Sequence, residues 1–377
     1  MTSPAPITRI TLREIRLPLC EPFRSSSGVE EERRVVLLEL VDGDGAEVWS
    51  ECVALAGPHY TPETVDTAWL ALREWVVPRV LGRPFADGAE VAAALEVGLR
   101  GHRMAKAAVE MGWWALQAVR RGVSLAELLG GSRERVATGV AVGIQESPAA
   151  LVAKVRSALD AGYQRVKVKI RPGADLDFLR AVREEVGPEP SLVADANSAY
   201  TLADADHLAR FDPLELAMIE QPLGWDDLLR HAALQRRIRT PICLDESITS
   251  AERAEDAIAL GAGRVVNLKP GRVGGFTAAL AVHDLCRRAG VDLWCGGMLE
   301  SGVGRAYNVA LASLPGFTLP GDLSPSARYW RRDVVTPEWT MADGGTVTVP
   351  RSEPGIGVEV DRDRIEELTV RAGTLEE

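Results

Sequence analysis

Between residues 136 and 325 the chain repeats one unit. A short apolar run rich in β-branched residues is followed by an amphipathic helical stretch, and then by another such run. The strand candidates are 136–144, 165–170, 191–197, 216–222, 241–247, 264–270, 292–297 and a weaker 317–323. Helical periodicity marks 148–161, 176–186, 251–260 and 276–289, with Gly162, Gly261 and Gly290 placed where helices end. Eight alternating βα units predict a closed parallel barrel, because right-handed crossovers curl such a sheet onto itself. The rival is an open doubly wound sheet. It is weakened by the lack of a GxGxxG after the first strand.

The flanks follow other patterns. The stretches 7–19 and 35–48 alternate like antiparallel strands joined by a turn, 63–81, 86–100 and 103–121 read as helices, and 125–129 as a short further turn. An α+β domain is expected over 1–132, the barrel over 133–327, and a tail over 328–377 whose strand-like 346–349 returns to the N-terminal domain. A 46% hydrophobic share spread along the chain supports a large core. No run nears the ~18 apolar residues a membrane span needs, and the first ten residues show no secretion signal. Five scattered cysteines without a CxxC pair suggest reduced thiols in a cytoplasmic protein. A net charge of −11 argues against nucleic acid as a partner, though not against an anionic substrate at a metal site.

Barrel enzymes carry their chemistry at the C-terminal ends of the strands. Those ends hold Lys167-Val168-Lys169, Asp195-Ala196-Asn197, Glu220-Gln221-Pro222, Asp245-Glu246-Ser247 and Lys269-Pro270. Asp195, Glu220 and Asp245 are each 25 residues apart, one βα unit, so three neighbouring strands each present a carboxylate on one rim. Singly, each acid could cap the following helix; in register and flanked by lysines they point to an oxygen-ligated hard dication, Mg²⁺ first, with Mn²⁺ also suited. Lys167 and Lys169 share a strand face, and each is expected to depress the other's pKa toward that of a base. Lys269 lies on the opposite side of an eight-stranded barrel. The chain has only five lysines among 43 basic residues, so a lysine kept at a strand end suggests a task that arginine cannot perform, such as giving up a proton. Lys106 and Lys154 read as surface charges. The expected reaction removes a proton beside a substrate carboxylate, the metal stabilising the enediolate.

These residues, in this order, resemble the enolase superfamily in its muconate-lactonising-like subgroup, and within it the branch of o-succinylbenzoate synthases and N-acylamino acid racemases. The motifs are Lys167-Val-Lys-Ile, Val193-Ala-Asp-Ala-Asn, Ile219-Glu-Gln-Pro-Leu, Cys243-Leu-Asp-Glu-Ser, Asn267-Leu-Lys-Pro-Gly-Arg-Val-Gly-Gly and Trp294-Cys-Gly-Gly-Met-Leu-Glu-Ser-Gly, with Gly101-His-Arg-Met-Ala-Lys and Leu319-Pro-Gly-Asp besides. The resemblance implies a modified (β/α)7β barrel under an α+β capping domain built from the N-terminal segment and the C-terminal tail. It implies Asp195, Glu220 and Asp245 as metal ligands, Lys169 and Lys269 as the acid/base pair, and Lys167 as the neighbour that tunes Lys169. Asn197, Phe23, Tyr60, Gly297, Met298 and Glu300 would lie near substrate, and Arg272 behind Lys269. Segments 21–31 and 54–60 would be mobile lids. Two departures bear on specificity: Ser27 replaces an aromatic in the first loop, and Ala141 a serine on the first barrel strand, both at positions expected to face substrate. Cys295-Gly296-Gly297 occupies the strand end where a mandelate racemase-like site would carry histidine; without a nearby base, Cys295 reads as wall packing. Asp322-Leu323-Ser324 lacks the paired aspartates of dipeptide epimerases.

The resemblance thus implies o-succinylbenzoate synthase activity, a syn dehydration of a cyclohexadiene carboxylate in menaquinone biosynthesis. The second reading is racemisation of N-succinylamino acids through both lysines, and the two activities can share one enzyme. A barrel without catalysis, serving only to bind, fits poorly with an intact acid and lysine set. A small carboxylate is the expected partner, in a homo-oligomeric enzyme.

Overall fold

The computed structural model describes residues 5–377. Three long antiparallel strands come first: β1 (Ile7–Arg24), β2 (Val29–Asp42) and β3 (Glu47–Cys52). The stretch expected as one strand over 35–48 is broken in the middle. Asp42 Oδ1 accepts from the backbone N–H of Asp44 and of Ala46, both at 2.9 Å, and this closes a turn between β2 and β3. Helix Arg103–Arg121 packs against the sheet, ending on left-handed Gly122. The helix expected over 63–81 starts at Val65 behind a Thr64 cap. After Ala71 it loosens into a π turn and a 3-10 turn, the latter containing Pro78, which has no N–H to continue the ladder.

After the short β4 (Arg135–Ala137), seven parallel strands follow: β5 (Gly139–Val142), β6 (Arg165–Lys169), β7 (Ser191–Asp195), β8 (Met218–Glu220), β9 (Ile242–Leu244), β10 (Val265–Leu268) and β11 (Asp292–Cys295). They pair in sequence order in one curled sheet. The segment 317–323 is not a regular strand, yet it closes the barrel. Asp322 N–H donates to Cys295 O on one side, and on the other Gly321 N–H donates to Ala137 O while Gly139 N–H donates to Gly321 O. Helices Pro148–Asp160, Leu176–Val186, Ala251–Leu260 and Phe276–Ala289 lie where periodicity placed them. The buried helix Gly302–Ala312, which opens on Gly302 and Gly304, was not foreseen.

The tail adds β12 (Val335–Thr336), β13 (Thr346–Thr348), β14 (Glu359–Val360) and β15 (Thr369–Glu376). Residues 346–349 do not reach the N-terminal sheet; β13 pairs with β4 at the foot of the barrel. It is β15 that joins the sheet, antiparallel beside β1. The two domains are joined by buried polar contacts. Glu51 on β3 accepts from Ser301 and from Gly304 N–H at the start of helix Gly302–Ala312, and Glu110 accepts from Phe276 and Thr277 at the start of helix Phe276–Ala289. Both carboxyl groups accept from the otherwise unpaired N–H groups at the start of a barrel helix. Among the described residues no helix is long and apolar enough to cross a membrane.

Candidate active site

The barrel interior is layered by the two-residue period of its strands. Val193, Met218, Cys243, Val265 and Trp294 form a buried apolar floor. Two residues further along, the same faces carry Asp195, Glu220, Asp245 and Asn267, and Lys269 follows two beyond Asn267. On β6 the inward face reads Arg165, Lys167, Lys169 from bottom to top. Trp294 supports the lower two, with Arg165 Cζ 3.9 Å and Lys167 Nζ 4.8 Å from its ring centre.

All three acids are buried. Asp195 and Glu220 are direct register partners. Lys169 Nζ donates to Asp195 Oδ2 at 2.7 Å and to Asn197 Oδ1 at 2.6 Å. Lys269 Nζ donates to Asp245 Oδ2 at 2.9 Å, and Arg272 donates to Asp245 Oδ1. Glu220 Oε1 accepts from Asn267 at 2.7 Å. Its Oε2 is buried without a hydrogen bond; Lys167 Nζ lies 3.1 Å away, an ion-pair contact without hydrogen-bond alignment. Burial and the charge of Asp195 push Glu220 up to about 8. Burial also opposes ionisation of Asp195 and Asp245, but Lys169 and Lys167 for the first, Lys269 and Arg272 for the second, outweigh it and hold both carboxyls below their ordinary value. An all-carboxylate set with one buried oxygen unpaired suits a hard divalent cation. Among the described residues no three such side chains are drawn tightly together; Asp195 is paired with Lys167 and Lys169, and Asp245 with Lys269.

Besides Lys169, Lys167 has acidic neighbours. Its burial acts to lower its pKa, but Asp322, Glu220 and Asp195 overcome that and raise it well above the ordinary lysine value. Asp322 Oδ2 is 2.7 Å from Lys167 Nζ, and its Oδ1 takes Arg165 at 2.6 Å. The only sequence signal for Asp322 was its place at the eighth strand end.

The capping domain closes the top. A cavity of about 90 Å³ is lined by Phe23, Ser27, Tyr60, Lys169, Lys269 and Met298, with Asn197 and Gly297 also in its wall. Tyr60 enters from the capping domain. Its hydroxyl accepts from Lys269 and Arg272, each at 2.9 Å, and donates to Asp245 Oδ1 at 3.0 Å, while Lys269 Nζ sits 4.4 Å from its ring centre. Phe23 faces Lys169 at 5.8 Å. Ser26 Oγ donates to Ala196 O at 2.8 Å, and His59 pairs with Glu30 at 3.0 Å, tying one lid to the barrel and the lids to each other. Glu300 lies behind this wall, accepting from Met298 N–H and Asn308. Ala141 is buried beside Lys167 and lines no part of the cavity, unlike Ser27. Cys295 is buried, its thiol raised by desolvation, with only carbonyls as hydrogen-bond partners. Sequence reasoning also missed Gly296. A Cβ there would sit 2.6 Å from Lys269 Cε, so the side-chain-free position lets the lysine lie across the strand end. A larger cleft of about 510 Å³ behind Phe23 contains none of the acids or strand-end lysines.

The chain is 47% identical to the o-succinylbenzoate synthase of Geobacillus stearothermophilus over 363 residues, 96% of each chain. It is 48% identical to an N-succinylamino acid racemase of Amycolatopsis sp, over 96% of this chain and 97% of that one. A crystal structure of an enolase superfamily member from Listeria innocua Clip11262 superposes with a TM-score of 0.95 at 38% identity, covering 99% of this chain and 100% of that one. Enzymes of this group are generally dependent on a divalent metal. The profile of the mandelate racemase / muconate lactonizing enzyme N-terminal domain matches residues 7–130 and the enolase C-terminal domain-like profile matches 150–364, so the chain belongs to the enolase superfamily, in its mandelate racemase / muconate lactonizing enzyme group.

Proposed function

We propose that this chain is an o-succinylbenzoate synthase, dehydrating a β-hydroxy cyclohexadiene carboxylate in menaquinone biosynthesis, and that the same residues racemise N-succinylamino acids. One observation carries the reading. Lys169 and Lys269 stand on strands separated by β7, β8 and β9, and each is bonded to an acid at the opposite end of the Asp195, Glu220, Asp245 row. Full-length relatives bearing each of the two names support it.

Asp195, Glu220 and Asp245 would hold the divalent ion, Mg²⁺ or Mn²⁺, which would supply positive charge against the substrate carboxylate. Lys169, in neutral form, takes the α-proton, and its ammonium then returns that proton to the leaving hydroxyl on the same face, so water departs syn. Lys269 needs only its charge for dehydration. Racemisation needs more: Lys269 must deliver a proton to the opposite face, so both lysines exchange. Phe23, Tyr60 and Met298 cover the site and exclude water.

The test is a paired assay with Mg²⁺ present, measuring kcat/KM for dehydration by absorbance and for racemisation of N-succinyl amino acids in D₂O by deuterium at the α-carbon. Both are expected above background. Absence of α-deuterium from either enantiomer would remove the racemase reading; absence of dehydration would remove the synthase reading.

A further inference from the structure

Glu246 follows Asp245 and is buried, yet nothing above uses it. Its Oε1 accepts from Asn197 Nδ2 at 3.1 Å, and its Oε2 has no hydrogen-bond partner. The other end of the same Asn197 amide, Oδ1, accepts from Lys169 Nζ at 2.6 Å. An asparagine amide can turn over, exchanging acceptor and donor with little change in shape. Here the two neighbours dictate the orientation: a carboxylate requires the NH₂ end and an ammonium requires the oxygen. The Asn197 backbone is fixed independently. It sits at φ 41°, its N–H donates to Asp195 Oδ1 at 3.1 Å, and Ser26 Oγ of the lid reaches its carbonyl at 3.3 Å. Only the side-chain torsion is left free, and Glu246 sets it.

We propose that Glu246 is a positioning residue for the Lys169 side of the site, acting through Asn197 to hold an acceptor against the Lys169 amine. No matching relay serves Lys269, whose partners are Asp245 and Tyr60. Glu246 also carries charge close to Lys269, Tyr60 and Arg272 but makes no hydrogen bond to them, so its loss falls more heavily on the Lys169 face than on the other. The proposal rests on the two-lysine reading above.

The experiment uses the full chain with Mg²⁺ and each enantiomer of N-succinylphenylalanine in D₂O, following the initial rate of α-deuterium incorporation by NMR. Lys169→Ala and Lys269→Ala identify which enantiomer each lysine serves. Glu246→Ala is expected to slow exchange of the Lys169 enantiomer about tenfold, the lower end for losing a supporting hydrogen-bond partner. Exchange of the Lys269 enantiomer should fall by clearly less, with folding checked separately by the thermal midpoint of each variant. Glu246→Gln, which keeps an acceptor for Asn197, should restore the lost rate to within about twofold. Equal slowing of both enantiomers, no change in either, or failure of Gln to rescue would each overturn the relay alone. Wild-type enzyme that exchanges neither enantiomer would overturn the two-lysine reading and the relay with it.

Discussion

Lys169 and Lys269 differ in what holds them. Lys169 is bonded within the barrel, to Asp195 and Asn197 at the end of its neighbouring strand; the capping domain adds only the ring of Phe23. Lys269 is bonded half from the barrel, through Asp245, and half from the lid, through the hydroxyl and ring of Tyr60. The capping domain thus bonds the Lys269 amine directly, whereas on the other side it reaches only the backbone at Ala196 and Asn197 and lays a ring near Lys169. A reaction that needs proton transfer only at Lys169 should tolerate lid variation better than one that needs both lysines. Dehydration and racemisation differ in this respect.

The largest effect expected is from removing the proton acceptor while keeping the charge. Lys169→Arg should lower kcat for both reactions by about 10³-fold, since arginine does not deprotonate and general acid–base catalysis contributes about 10²–10⁴. Lys269→Arg should abolish racemisation and leave dehydration within about tenfold, if charge is all that dehydration draws from that side. Equal loss of both activities in Lys269→Arg would erase the distinction between the two lysines. The next effect is steric. Gly296→Ala would drive Cβ hardest into Asn267 Oδ1, the side chain that bonds Glu220, with Lys269 Cε next at 2.6 Å, so both side chains must move. A displacement near 1 Å costs about 10²-fold where geometry is catalytic, so both reactions should fall by about that order, since Asn267 supports Glu220 and Lys269 is pushed as well. A milder change probes the lid directly. Tyr60→Phe keeps the ring over Lys269 but removes the hydroxyl that bonds Lys269, Arg272 and Asp245; racemisation should drop about 10- to 100-fold, a loss of roughly 1.5–3 kcal/mol for hydrogen bonds to charged groups. An unchanged ratio of kcat/KM for the two reactions would mean that the lid contact does not distinguish them.

What the sequence made legible follows the same division. The row Asp195, Glu220, Asp245 could be read from spacing alone, because each strand end recurs after one βα unit and each face after two residues. Lys167 and Lys169 could be placed on one face for the same reason. The environment of Lys167 could not, because Asp322 arrives from a segment of irregular backbone 155 residues later and its approach depends on how the barrel closes. Neither could the reach of Tyr60 into the Lys269 side, which depends on how a loop of one domain seats on another. The strand β15 escaped notice because its residues alternate between exposed and half-buried, with no apolar run to mark it; its pairing with β1 is a contact between the two ends of the chain.

The smallest effect concerns how the lid domain is anchored. Glu51 is buried where β3 meets helix Gly302–Ala312, and burial, reinforced by Glu300, pushes its carboxyl from 4.5 up to about 8 against the hydrogen bonds of Ser301 and Gly304. Between those two values the folded chain keeps a proton that the unfolded chain has released, so stability falls as pH rises through that window. The contribution is whole below about pH 4.5 and lost above about 8. Glu51→Gln cannot titrate. With thermal midpoints measured from pH 5 to 9, the wild type should lose ground to the variant by roughly 1–1.5 °C for each kcal/mol of linkage, the unfolding entropy scaling with chain length. Because the slope and not the absolute midpoint is compared, the poorer fit of the Gln amide at the helix start does not enter. Parallel curves would mean that Glu51 is ionised in the fold, its charge satisfied by the helix N-terminus. The capping domain would then be held to the barrel equally well across the pH range, with no weakening of the Lys269 side at alkaline pH.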